Sequence, residues 1–119
     1  MYHIIFYRKN DRAKSDTEDF IETHRMSKAH LDQVLWNTIV RYLHTLGEGG
    51  TRIGEPFVKH IDDGIWELRP SNYRILFFYW KENTYVLLNY FLKKTNKTPD
   101  TELERAKRYR TDWRNRKGD

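Results

Sequence analysis

The sequence predicts an α+β domain, an antiparallel sheet of about five strands packed against helices in the order β-α-α-β-β-β-β-α. Three observations carry this. Gly64 to Lys94, GIWELRPSNYRILFFYWKENTYVLLNYFLKK, reads as three strands separated by turn chemistry. A stripe of helical period, Leu31, Val34, Leu35, Ile39, Tyr42, Leu43 and Leu46, precedes it. A helix start at Thr98-Pro99 follows it. The 119 residues suffice for one core, so residues 1–119 are expected to form a single domain.

Tyr2 to Tyr7 opens the chain as an apolar strand, and Arg8 to Arg12 ends it with polar turn formers. Ser15 and Glu18 have the spacing of a capping box, in which both side chains satisfy free amides at a helix start; a short helix is expected to about Arg25. Phe20, Ile21 and His24 share helical spacing, which makes His24 a packing residue. The next helix buries the Leu31 to Leu46 stripe and stops at Gly47, where glycine accepts the left-handed C-cap. Glu48 to Glu55 is a glycine-bearing loop that lacks the lysine of a phosphate cradle and follows a helix, so no nucleotide cofactor is expected. Phe57 to Ile61 is a short strand, turned by Asp62-Asp63-Gly64. Gly64 to Arg69, Tyr73 to Lys81 and Tyr85 to Lys93 complete an antiparallel meander, with turns at Pro70-Ser71-Asn72 and Lys81 to Thr84. In the last helix Thr98 offers a capping hydroxyl, Pro99 takes the first position, and Leu103, Ala106, Arg110 and Trp113 recur on one face.

Strand side chains alternate, so Glu67 and Arg69 share one face while Trp66 and Leu68 share the other. Arg74 falls in register with Leu76, Phe78 and Trp80, an arginine at the end of an apolar row. The meander therefore carries charge at its rim, and a sheet covered by helices on one face leaves the other for a ligand.

Composition narrows the function classes. No apolar run approaches the roughly 18 residues of a membrane span. The opening MYHIIFYRKND is too short and too soon charged for a signal peptide, which points to the cytoplasm. With no cysteine and no histidines at ligand spacing, no metal site is expected. The net charge of +5 is concentrated late: residues 93 to 117 hold ten Lys and Arg against four Asp and Glu, whereas residues 1 to 92 hold twelve of each. Such a patch attracts polyanions, nucleic acid first and an acidic protein second.

The order of elements, together with Gly64 to Arg69, Tyr73 to Leu76, Phe91 to Pro99 and Glu102 to Ala106, resembles the RelE/ParE toxin superfamily of bacterial toxin–antitoxin systems, in its HigB or phage Gp49-like branch. The resemblance implies a RelE-like fold and a metal-free, ribosome-dependent endoribonuclease. It also implies a cognate antitoxin, often a helix-turn-helix protein of the HigA kind, and ribosome and mRNA as the other partners. Active faces in the superfamily carry cations on the sheet and after its last strand, positions that correspond to Arg74, Lys93 and Lys94 here. Glu67 stands where RelE-type enzymes have a lysine.

Metal-free cleavage needs the 2′-hydroxyl to lose a proton, the phosphorane to meet positive charge and the 5′-oxygen to leave. A guanidinium suits the phosphorane because its planar fork binds two oxygens and stays charged. Arg74 is the first candidate, with Lys94, Lys93, Glu67 and Arg69 beside it. Glu67 is open to two readings, a base or the partner of Arg69 or Lys59. Lys59, His60 and Lys97 are candidates for holding substrate, and Tyr90 or Phe91 for stacking on a base. Two other functions stay open, a ParE-like gyrase poison and an RNA-binding module without catalysis.

Overall fold

The computed structural model covers residues 1–119. It forms β1 (His3–Phe6), α1 (Asp16–Met26), α2 (His30–Gly49), β2 (Val58–Asp62), β3 (Ile65–Leu68), β4 (Tyr73–Tyr79), β5 (Thr84–Leu92) and α3 (Asp100–Lys117), with a short 3-10 turn at Gly50–Ile53. The five strands lie in the order β1-β5-β4-β3-β2. From β2 to β5 the sheet is the expected antiparallel meander, but β1 lies parallel to β5, with His3 opposite Thr84 and Phe6 opposite Leu87. Alternation of side chains marks a strand without marking its direction, so this mixed edge could not be read in advance.

Local chemistry explains the turns. Asp63 and Gly64 both have positive φ, as a two-residue hairpin turn that follows the twist of the strands requires. Glu82 and Asn83 do the same between β4 and β5, where Thr84 N–H donates to Lys81 O. Ser15 caps α1 by accepting from Glu18 N–H at 3.1 Å, while the Glu18 carboxylate pairs with Arg8 at 2.9 Å instead of closing the box. α2 runs past Gly47 to Gly49. The Gly47 carbonyl takes Tyr2 N–H at 2.7 Å, and the left-handed cap falls on Gly50, where a Cβ would lie 2.8 Å from the Tyr2 ring. No helix is long and apolar enough to cross a membrane.

Helices cover both faces of the sheet, which corrects the expectation of one open face. On one side α1 and α2 bring Phe20, Ile21, Ile39 and Leu46 onto Leu68, Ile75, Phe77 and Leu87. On the other, α3 brings Ala106 and Trp113 onto Ile65, Leu76, Phe78 and Val86. α3 is held by polar straps as much as by packing: Arg110 binds the carbonyl and carboxylate of Asp63, Tyr7 donates to Asp112 at 2.7 Å, and Trp80 donates to the Gly118 carbonyl at 2.8 Å. The apolar stripe of α2 is buried only in its later part. Leu31 and Val34, in the first turns of α2, stand in solvent.

Candidate functional site

With both faces covered, the charged candidates gather at the end of the sheet where β3, β4 and β5 meet the loop 93–99. Cross-strand register, which parity alone did not give, brings the charged residues together. Glu67 and Arg74 face α3 from neighbouring strands, and Arg69 follows Glu67 on the same side. Glu67 is 4% exposed and Arg74 7%, so the row's end is enclosed and not an open rim.

The Glu67 carboxylate sits between two guanidinium groups and a hydroxyl. Its Oε1 lies 3.5 Å from Nε of both Arg69 and Arg74, and its Oε2 accepts the Thr98 hydroxyl at 2.9 Å. Thr98 therefore caps nothing; Pro99 occupies the N-cap of α3 without a side-chain bond, and the threonine pins the lysine-bearing loop to β3. Arg69 continues outward to Glu55 at 3.1 Å. Arg74 Nη1 donates to the carbonyls of Ser71 at 2.9 Å and Tyr73 at 2.7 Å, the turn at Ser71 having positive φ. That leaves Nη2 without a protein partner. Burial, and after it the neighbouring Arg69, hold the Arg74 guanidinium below its usual pKa, opposed by Glu67. Such a group is fixed in orientation and poorly hydrated, so a second anion at Nη2 is met by a charge that water has not already screened.

The remaining candidates fall into three groups. Lys93 and Lys94 are exposed just past β5, which ends at Leu92; the Lys93 amide is tied to Asn72 O at 2.6 Å. The pleat thus stops before it can send the two lysines to opposite faces. Lys97 is exposed in the same loop and paired with Asp100 at 3.5 Å. Lys59 is the cross-strand partner of Glu67 and extends the positive border along β2. His60 does not join them: it pairs with Trp66 on the α2 face, packs edge-on against that ring at 5.2 Å, and accepts the Gly64 amide at 3.3 Å. His24 packs on Phe20 and Tyr73 as expected. No three His, Asp or Glu side chains gather as a metal site would need.

Two residues of this region were not singled out in the sequence. Glu55 reaches Arg69 from a loop, where no periodicity applies. Asn89 faces α3 because β5 carries a bulge: Leu76 opposes Asn89 and Phe77 opposes Leu87, so the extra residue Leu88 shifts the alternation. An asparagine inside an apolar run was the available signal, since strands disfavour it.

The small domain, with its mixed sheet wrapped by an N-terminal helical hairpin and a C-terminal helix, has the architecture expected of a RelE-like fold. The chain belongs to the family described as phage derived protein Gp49-like (DUF891), whose model matches residues 29–111. That family is associated with toxins of toxin–antitoxin systems, and an antitoxin is the partner this membership suggests. The match covers α2 through most of α3 and every residue of the charged cluster. No curated protein matches the chain.

Proposed function

We propose that this protein is the toxin of a type II toxin–antitoxin pair and acts as a ribosome-dependent endoribonuclease on messenger RNA, in the cytoplasm where its substrate is translated. The observation that carries the reading is the fixed Arg74 guanidinium with Nη2 uncommitted, at a sheet end bordered by Lys93 and Lys94. In this reading the 2′-hydroxyl gives up its proton to water as its oxygen attacks the adjacent phosphorus, and the bond to the 5′-oxygen breaks, that oxygen taking a proton from water, to leave a cyclic phosphate and a free 5′-hydroxyl. Arg74 and Lys94 meet the charge of the phosphorane, whose stabilisation by one such donor is worth about a hundredfold or more in rate. Lys93, Lys97 and Lys59 hold flanking phosphates. Glu67 acts as a positioning residue through Arg74 and Arg69, its carboxylate lying buried between them. The ribosome supplies what a small site lacks, an RNA backbone held in line for attack. A helix-turn-helix antitoxin of the HigA kind silences the site by covering it.

A second reading has one observation in its favour. Arg74 is nearly buried, which also suits a purely structural ion pair, so a binding toxin such as a gyrase poison, or a non-catalytic RNA-binding protein, needs the same fold. Primer extension on message from programmed ribosomes incubated with the purified protein separates these. Cuts on translated message, weak on free RNA, unaffected by EDTA and lost in Arg74→Ala are expected. Intact message with trapped gyrase would replace the nuclease by the poison.

A further inference from the structure

A cavity of about 950 Å³ lies on the opposite side of β5 from Arg74. It exists because β1 stops pairing at Leu87 while β5 continues to Leu92, so residues 88 to 91 form its floor where a partner strand would otherwise lie. α1 supplies one wall with Phe20 and His24, and α3 the other with Arg105 and Tyr109. Each side carries a stacked ring pair: Phe20 with Tyr90 at 4.1 Å and 14°, and Tyr7 with Tyr109 at 4.4 Å and 15°. At the floor Asn89, 5% exposed, gives its amide hydrogens to the carbonyl and carboxylate of Glu102, while its Oδ1 accepts nothing. Lys9 and Lys14 line the cavity and take part in no ion pair.

We infer that this cavity is a nucleobase subsite, taking one amino-bearing base of the RNA with its phosphate at Lys9 and Lys14. The volume is that of a small-molecule site. Lining cations Lys9, Lys14 and Arg105 are matched by Asp16, Asp19 and Glu102, so the cavity as a whole is no sink for a polyanion; flat aromatic walls suit a neutral planar ring. The buried acceptor without a partner, Asn89 Oδ1, calls for an N–H group on that ring, and the exposed Asp16 and Asp19 carboxylates can take further donors. Adenine, cytosine and guanine present an exocyclic amine, and uracil does not. The identity of the polymer rests on the RNA reading above. The placement serves it: Phe91, in the cavity wall, is the cross-strand neighbour of Arg74, one strand spacing of about 5 Å away.

The test uses the full-length protein with AMP, CMP, GMP, UMP and ribose 5-phosphate as probes, followed by amide and side-chain NMR shifts. AMP, CMP or GMP should bind about tenfold more tightly than UMP and ribose 5-phosphate, with shifts centred on the Asn89 side-chain amide, Tyr90 and Tyr109. Charge reversal at the exposed pair, Lys9→Glu with Lys14→Glu, should weaken the monophosphates about tenfold and leave the nucleosides unchanged. Binding should persist in Arg74→Ala, where cleavage is lost; a wild-type protein that binds the nucleotides but leaves translated message intact removes the nuclease reading and not the subsite. Equal binding of ribose 5-phosphate, shifts confined to Lys93 and Lys94, no shift at millimolar nucleotide, or occupation of the cavity by a partner peptide alone would each overturn it.

Discussion

Replacing Glu67 by glutamine keeps the shape of the side chain and a hydrogen bond to Thr98 but removes the charge that Arg69 and Arg74 share. Removing one member of a buried ion pair costs about 3–5 kcal/mol, chiefly because the other is left desolvated and unmatched. Here Arg69 retains Glu55, Arg74 retains the carbonyls of Ser71 and Tyr73, and both Nε contacts are long at 3.5 Å. A loss of about 2–3 kcal/mol follows. The four tryptophans report unfolding in guanidinium chloride, and at a slope of about 4 kcal/mol/M the midpoint should fall by roughly 0.5–0.75 M. Arg74→Met and the double variant complete the cycle, and because removing the arginine relieves the charge that Glu67→Gln strands, the two losses should fall short of additivity by about 1 kcal/mol or more. An unchanged midpoint in Glu67→Gln, or additive losses, would show that the carboxylate is not the counter-ion of Arg74 and would remove its positioning role.

The Tyr7 hydroxyl, buried and donating to Asp112, has its pKa pushed up from 10.0 to about 12. The folded state therefore holds a proton that the unfolded state loses first. Stability conferred by this group is complete below pH 10 and falls as pH rises to about 12, by up to roughly 2–3 kcal/mol; Tyr7→Phe should flatten that decline in an alkaline denaturation series. Arg74→Lys keeps a charge but not the fork, and cleavage on programmed ribosomes should drop about a hundredfold while far-UV circular dichroism stays unchanged. Thr98→Val should release the 93–99 loop, seen as faster amide exchange at Lys94 to Lys97, with a stability loss of about 1 kcal/mol. Glu82→Gly relieves a positive φ of 52°, and its urea midpoint should rise by the equivalent of about 0.5 kcal/mol.

Strand parity made part of the charged cluster legible: Glu67 shares a face with Arg69, and Arg74 shares one with Leu76 and Phe78, but that the two faces coincide depends on the register, which sets Glu67 opposite Leu76. Parity failed where the backbone broke it. One extra residue at Leu88 put Asn89 on the α3 side, and the end of β5 at Leu92 left Lys93 and Lys94 without assigned faces. Thr98 before proline has the signature of a cap, yet its hydroxyl found a buried carboxylate 31 residues away, a contact no local rule contains. The second covered face was hidden for a related reason. The face of α3 that carries Leu103, Ala106, Arg110 and Trp113 is readable from its spacing, but spacing does not say which side of the sheet it covers; the contacts of Arg110 with Asp63 and of Tyr7 with Asp112 decide that.

The parallel pairing of β1 with β5 bears on when during synthesis this protein becomes competent. His3 and Thr84 are neighbours in the sheet but 81 positions apart in the chain, and contacts of such long range form late because the whole intervening loop must be closed. Glu67 and Arg74 are synthesised before Thr98, Lys94 and α3 exist to enclose them. A nascent chain thus carries its charged cluster open and incomplete until nearly the last turn of helix has left the ribosome, which gives any antitoxin made alongside it a head start on the finished site.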